Sequence, residues 1–221
     1  MIFDRFESLI GEQNLKKLAQ SSILVFGLGG VGGHVVETLV RSGVGHITII
    51  DSDIFEETNI NRQIGASIST LGKDKVDVIA NRCRDINPSV EVTPIKMKFD
   101  SNSILDFHKF DYIIDAVDDV DAKVEIIKRA QKANKKIISC MGTAKKFDPL
   151  MLKVSILSKT SVCPLASVMR KKIRDGEIKD CMCVFSTETP CKSANLGSTA
   201  FVPSVAGILI GKTVVLDLIK E

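Results

Sequence analysis

Residues 23–51 read ILVFGLGGVGGHVVETLVRSGVGHITIID, and this stretch decides the fold. ILVF at 23–26 is a short apolar run that stops at glycine, as a strand covered on both faces does. Residues 31–41 carry apolar side chains at helical spacing. HITII at 46–50 is rich in β-branched residues and closes on Asp51, which makes it a second strand. Strand, glycine turn, helix, strand is a crossover unit. Such units are right-handed in nearly all cases and leave their two strands parallel.

The same alternation continues outward. Residues 13–20 form a short helix ahead of the first strand. Val76, Ile79, Ala80 and Cys83 share a helical face, residues 90–95 alternate as a strand, and 112–116 form an apolar strand that ends in acids. A helix through Ile126 and a strand at 136–140 follow. The pattern predicts an α/β fold: a Rossmann-like, doubly wound, mainly parallel sheet. The last third changes character. Strands at 151–157 and 182–186 bracket a helix with Leu165, Val168, Met169 and Ile173 on one face, so additional antiparallel strands are expected beside the parallel core. The final helix, about 203–219, places Gly207 and Gly211 four apart, which predicts close packing against another helix.

Composition excludes several classes. A chain of 221 residues with 44 % hydrophobic and 26 % charged residues builds its own core without staples. A net charge of +3 permits contact with phosphate without demanding it. Six cysteines without a C-x-x-C pair argue for reduced thiols, a cytoplasmic home and no structural zinc. The opening residues carry Asp4 and Glu7 and do not read as a signal peptide. Residues 200–219 are apolar, but Pro203, Lys212 and Asp217 interrupt them, so a buried helix is expected and no membrane association.

The glycine turn is the first candidate site. Gly27 can make the tight turn, Gly29 lets backbone approach a phosphate, and Gly32 allows the helix to pack closely on the strand. The following helix offers free N–H groups to an anion. Asp51, at the end of the next strand, stands where an acid binds ribose hydroxyls. These features serve a dinucleotide or ATP equally. Asn59, Arg62, Lys75 and Asp118 supply the cations and the metal-binding acid that ATP chemistry uses. Arg62 and Lys75 both fall in a polar, loop-like stretch after the second strand.

Beyond this point the residues resemble a known family. GLGGVG at 27–32, ITIIDSDIFEETNINRQ at 47–63, LGKDK at 71–75 and IIDAVDD at 113–119 resemble the adenylating domain of ubiquitin-activating and sulfur-carrier-activating enzymes. The chain as a whole, 1–221, is similar to a single ThiF-type domain. Residues of about 13–141 correspond to its nucleotide-binding core and about 142–221 to a branch-specific extension. Within that superfamily, residues 141–174, CVFSTETP at 183–190, residues 196–215 and FDRFESLIG at 3–11 resemble the tRNA threonylcarbamoyladenosine dehydratase branch.

The resemblance implies roles. Gly27, Gly29, Gly30 and Gly32 cradle ATP. Asp51 binds the ribose with Asp53 beside it, Asn59, Arg62 and Lys75 reach the phosphates, and Asp118 helps hold Mg2+. Arg5 matches an arginine that acts in the neighbouring subunit of a homodimer. The implied reaction is ATP-dependent: a threonine carboxylate becomes an adenylate, the carbamoyl nitrogen closes a ring, and AMP and pyrophosphate are released. An intramolecular attack needs no enzyme nucleophile, and the surroundings of Cys191 do not match a thioester motif. The tRNA substrate would meet basic clusters at Lys145, Lys146, Arg170, Lys171, Lys172 and Arg174, although charge runs of this kind also serve as plain solvated helix faces. A cysteine desulfurase or another sulfur-transfer partner stays open. So does adenylation of the C-terminal glycine of a sulfur-carrier protein, the alternative activity, and so does a nucleotide-binding module or oxidoreductase without adenylating activity.

Overall fold

A computed structural model describes residues 2–195 and 197–220; Leu196, which opens the last of the quoted motifs, lies outside them. Seven strands form one sheet in the order β3-β2-β1-β4-β5-β7-β6, with β1 Ser22–Phe26, β2 His46–Asp51, β3 Glu91–Lys96, β4 Tyr112–Asp115, β5 Lys136–Cys140, β6 Leu152–Ile156 and β7 Met182–Ser186. The helices are α1 Asp4–Ile10, α2 Glu12–Gln20, α3 Gly32–Arg41, α4 Lys75–Ile86, α5 Val120–Lys132, α6 Pro164–Arg174 and α7 Phe201–Ile219.

The sheet is the doubly wound one that the alternation predicts. β1 pairs with β2 and β4 in parallel, and the strand order reverses between β1 and β4. A crevice opens beyond the carboxyl ends of the strands at such a reversal. The strands of the last third divide. β7 runs parallel to β5 and extends the central sheet, while β6 pairs antiparallel with β7, Val154 facing Val184. Among the named strands of the described residues this is the one antiparallel pair. β3 is the other edge strand, and there Pro94 lacks a donor without breaking an interior ladder.

Two apolar layers cover the sheet. On one side Val35, Val36 and Leu39 of α3, Ile79 and Cys83 of α4, and Ala206, Ile210 and Val214 of α7 pack over Ile23, Val25 and Ile114. On the other, Ile126 and Ile127 of α5 and Met169 of α6 pack over Leu24, Ile113 and Phe26, whose ring lies 4.7 Å from that of Phe99. Capping places the helix starts: Asp119 accepts from Ala122 N at 2.8 Å ahead of α5, and Pro164 opens α6.

By length and composition α7 is the one helix among the described residues apolar enough to cross a membrane, yet half of that stretch is buried inside the molecule. Its buried face lies on α3. A Cβ added at Gly207 would stand 2.5 Å from Val31 O, and one at Gly211 would stand 2.7 Å from Thr38 Cβ. Asp217, a charge near the end of α7, accepts from Tyr112 Oη at 3.2 Å. The two glycines therefore set how near the helices come.

Replacing Gly207 by alanine adds helix propensity of about 1 kcal/mol. It also drives a methyl group into a backbone carbonyl, and overpacking costs about 1–3 kcal/mol. Gly207→Ala is expected to lower the melting temperature followed by circular dichroism. An unchanged or higher melting temperature would mean that α3 and α7 separate freely.

Candidate active site

The turn after β1 is built by close approach of backbone. Gly27 has φ +83° and donates its N–H to Ile50 O at 2.8 Å. A Cβ there would come within 2.7 Å of Ala116 O, in the loop after β4. A Cβ on Gly32 would overlap Gly27 O, so the start of α3 rests directly on the turn. Gly30 lies against Arg62 Cγ and Pro203. Around Gly29 the space is open, and the nearest atom to an added Cβ is Gln63 Nε2 at 4.0 Å. Backbone at Gly29 is thus exposed to a ligand, and the N-terminal, positive end of α3 faces the same space.

Asp51 at the end of β2 ties the turn in place. Its Oδ2 accepts from Leu28 N at 2.6 Å and its Oδ1 from Asp53 N at 2.8 Å. Burial pushes its carboxyl above the ordinary value, against the pull of Lys75 and of the two backbone N–H groups. A carboxylate has roughly four acceptor positions, so two hydrogen bonds leave capacity for ribose hydroxyls.

Lys75 is not in a loop, as its polar surroundings suggest. It is the first residue of α4, 5 % exposed, and its Nζ lies 2.9 Å from Asp53 Oδ2. The same ammonium holds the Asp53 carboxyl below its usual range. Asn59 is buried in a short 3-10 helix, Glu57–Asn59, where its Oδ1 caps Glu56 N at 3.3 Å. Asp53, Asn59 and Lys75, with Ser52, Ile54 and Glu56, line a cleft of about 390 Å³. Arg62 is half-buried, with Nη1 donating to Thr58 O at 2.7 Å and to Asn61 Oδ1 at 3.0 Å. The structure brings these groups to one rim of the sheet.

Asp118 is exposed on the loop after β4, and no hydrogen bond to its carboxylate is made among the described residues. Beneath it lies a buried cluster that the sequence reading did not identify. Asp115 and Lys123 are both 0 % exposed and 2.9 Å apart, and Ser139 Oγ donates to Asp115 Oδ2 at 2.5 Å. The other oxygen, Asp115 Oδ1, accepts from Val117 N at 3.2 Å. A second group the reading left without a role is Gln63. It is 6 % exposed, and its Oε1 is buried without a hydrogen-bond partner. Only its place beside Arg62 in the quoted motif pointed to it.

Arg5, on exposed α1, lies apart from the cluster of its own chain, as a residue expected to act in a neighbouring subunit would. The neighbouring Phe3 sits beside Gly43, beyond the end of α3 opposite to the glycine turn, and the helix between is about 15 Å long. The basic residues of the last third also separate. Lys146 is 2 % exposed and donates to Gly142 O at 2.9 Å, so it offers nothing to an RNA surface; burial pulls its ammonium below the usual range. Lys145 is held by Ser193 O, Arg170 by Thr160 and Lys172 by Glu177. Lys171 and Arg174 remain exposed along a hollow of about 440 Å³ on α6. Three of the cysteines are not poised as nucleophiles: burial pushes the thiols of Cys83, Cys140 and Cys181 up to about 12.

With this geometry in hand, the relatives can be placed. The ThiF family model matches residues 4–220. The tRNA threonylcarbamoyladenosine dehydratase of Bacillus subtilis is 39 % identical over 99 % of this chain and 95 % of its own length. The crystal structure of the Escherichia coli tRNA N6-threonylcarbamoyladenosine dehydratase TcdA in complex with ATP superposes with a TM-score of 0.91 at 30 % identity, covering 99 % of this chain and 93 % of that one. By contrast, the adenylyltransferase and sulfurtransferase MOCS3-1 of Zea mays, 35 % identical, matches 58 % of this chain and 28 % of its own length. The full-length matches reach through the C-terminal third as well as the nucleotide turn, and the chain belongs to the ThiF family, in its tRNA threonylcarbamoyladenosine dehydratase branch.

Proposed function

We propose that the protein uses ATP to close a threonylcarbamoyl group on a tRNA adenosine into its cyclic form, with net loss of water. The observation that carries this reading is similarity along the whole chain to dehydratases, joined to a cationic rim around an open glycine turn. The sulfur-carrier alternative draws on a relative matched over little more than half of the chain. Residues of about 13–141 would hold the nucleotide and 142–221 would shape the site for the tRNA, in a cytoplasmic enzyme.

The residues present fit ATP. Gly29 offers open backbone, Asp51 has unused acceptor capacity, and the orphaned Gln63 Oε1 lacks the donor that a ribose or base would supply. They also fit magnesium, a hard cation that is bound by one or two carboxylates together with substrate phosphates. Asp118, exposed and unengaged, would be that carboxylate. ATP supplies the activation: it turns the carboxylate oxygen, a poor leaving group, into part of AMP.

The chain's own work is electrostatic. Negative charge grows on the phosphate oxygens as pyrophosphate departs, and Arg62 and Lys75 stand fixed to meet it, Arg62 by Thr58 and Asn61, Lys75 by Asp53. The ring then closes within one substituent, where effective molarity reaches roughly 10⁵ M or more. No thiol is needed, and Cys191 is read as a bystander.

Arg5 would complete the site of a second copy in a homodimer. Phe201 and Ile208 on α7, with Phe147 and Leu150 nearby in sequence to β6, leave large apolar side chains exposed for such an interface. For the tRNA, Lys171 and Arg174 are the phosphate contacts that the structure leaves available.

The test of the reaction is a single-turnover assay on threonylcarbamoyl-modified tRNA with ATP, read by mass spectrometry of the nucleosides. Arg62→Ala and Lys75→Ala should fold and lower the rate by about 100-fold or more. Asp53 is 63 % exposed, so losing Lys75 strands no buried charge. Wild-type rates in folded variants would refute the adenylation mechanism. Mixing inactive Arg5→Ala with inactive Arg62→Ala protein should restore partial activity, because a mixed dimer keeps one intact site; no recovery on mixing would argue against action in trans. Lys171→Ala together with Arg174→Ala should weaken tRNA binding and flatten its salt dependence by about one unit of slope per lost phosphate contact. An unchanged slope would leave α6 an ordinary solvated face.

A further inference from the structure

We propose that Asp115, Lys123 and Ser139 form a positioning set that fixes the loop carrying Asp118, and so governs how well the site takes its divalent cation. The proposal rests on the reading of Asp118 as the magnesium ligand. None of the three touches the ligand, for all are fully buried.

The geometry joins three elements at one carboxylate. Asp115 ends β4, Lys123 lies in the first turns of α5, and Ser139 is in β5. One oxygen of Asp115 receives Lys123 Nζ at 2.9 Å and Ser139 Oγ at 2.5 Å, and the other receives Val117 N at 3.2 Å. Lys123 also reaches Ser139 Oγ at 3.4 Å. The loop 116–119 is therefore held from beneath at Val117 and from its far end by α5, whose cap Asp119 accepts from Ala122 N. The glycine turn lies close against the same loop, since a Cβ at Gly27 would stand 2.7 Å from Ala116 O and 3.1 Å from Val117 N.

Charge gives a second reason for this arrangement. Residues 115–119 hold three carboxylates, at Asp115, Asp118 and Asp119. Lys123 is paired with Asp115 inside the protein, and Asp119 is engaged as a helix cap, so of these three Asp118 is the one that presents outward a carboxylate without a partner among the described residues. A buried ion pair is seldom the most stabilising choice for a core, and apolar residues of similar size often serve as well. Its position at the strand end, directly under a ligand-bearing loop, fits a role in orientation, as partners behind metal ligands have elsewhere.

The experiment is a manganese titration followed by electron paramagnetic resonance, with a non-hydrolysable ATP analogue bound, on full-length protein. Lys123→Met should weaken manganese binding by about 10- to 100-fold. Metal-free affinity for the analogue should stay the same, and hydrogen exchange at Val117 should speed up. Lys123→Arg should recover most of the manganese affinity. If Lys123→Met does not fold, the uncharged pair Asp115→Asn with Lys123→Met removes the stranded carboxylate and takes its place. Thermal melting measures stability separately. Folded variants that bind manganese as tightly as the wild type would overturn the proposal and leave the cluster a core feature only. Asp118→Asn runs in parallel: if it binds manganese normally, the assignment of the metal ligand is wrong and the positioning role falls with it.

Discussion

The turn after β1 can occupy its place only because backbone lies on backbone. Gly27 rests against the carbonyl of Ala116, and the start of α3 rests against Gly27. Any side chain at either glycine would lift the helix from the loop after β4 and widen the crevice at the strand reversal. That contact fixes the distance between two halves of the site: the helix end and glycine turn on one side, the loop bearing Asp118 on the other. Asp51 adds a third tie, since its carboxylate bonds the turn at Leu28 and the following segment at Asp53. The nucleotide space is thus set by main-chain geometry before any catalytic side chain is considered.

Charge placement follows from the same frame. Most of the acids at the rim are engaged: Asp51 by backbone, Asp53 by Lys75, Asp115 by Lys123. The two ion pairs differ in kind. Asp53 is largely exposed, so its pair with Lys75 is partly screened by solvent and gives way to a phosphate at little cost, while the buried stem of Lys75 keeps the ammonium in place. Asp115 and Lys123 are wholly buried, and removing one of such a pair typically costs about 3–5 kcal/mol because the other is left uncompensated. The first pair suits exchange with a ligand. The second suits permanence.

The sequence disclosed what depends on local period and spacing. The alternation of strands and helices, the glycine turn, Asp51 and the close contact implied by Gly207 and Gly211 were all legible, because each is a pattern within a few residues. What was hidden depends on residues far apart in the chain. Asp115 and Ser139 are separated by 24 positions and meet only when β4 lies beside β5. The parallel direction of β7 is set by its neighbour β5, which no feature of residues 182–186 announces. Lys75 looked solvated because its neighbours are polar, yet its N–H and its ammonium both bond to Asp53 and its side chain is buried. Lys146 looked like a surface charge for the same reason, and the carbonyl of Gly142 holds it inside.

The last helix shows how far composition alone can mislead. By length and hydropathy α7 would suit a bilayer. Hydropathy counts the side chains but not what they face. One face of α7 carries small residues that bring it onto α3, and Asp217 is drawn to the hydroxyl of Tyr112 in β4. Lipid offers neither a groove for the small residues nor a donor for the acid. Here α3 offers the first and the sheet the second, and Pro203 in the first turn of the same helix stands against Gly30 of the nucleotide turn. An apolar helix that looks like packing alone therefore also helps form one wall of the turn, which links the C-terminal third of the chain physically to the site where the nucleotide would bind.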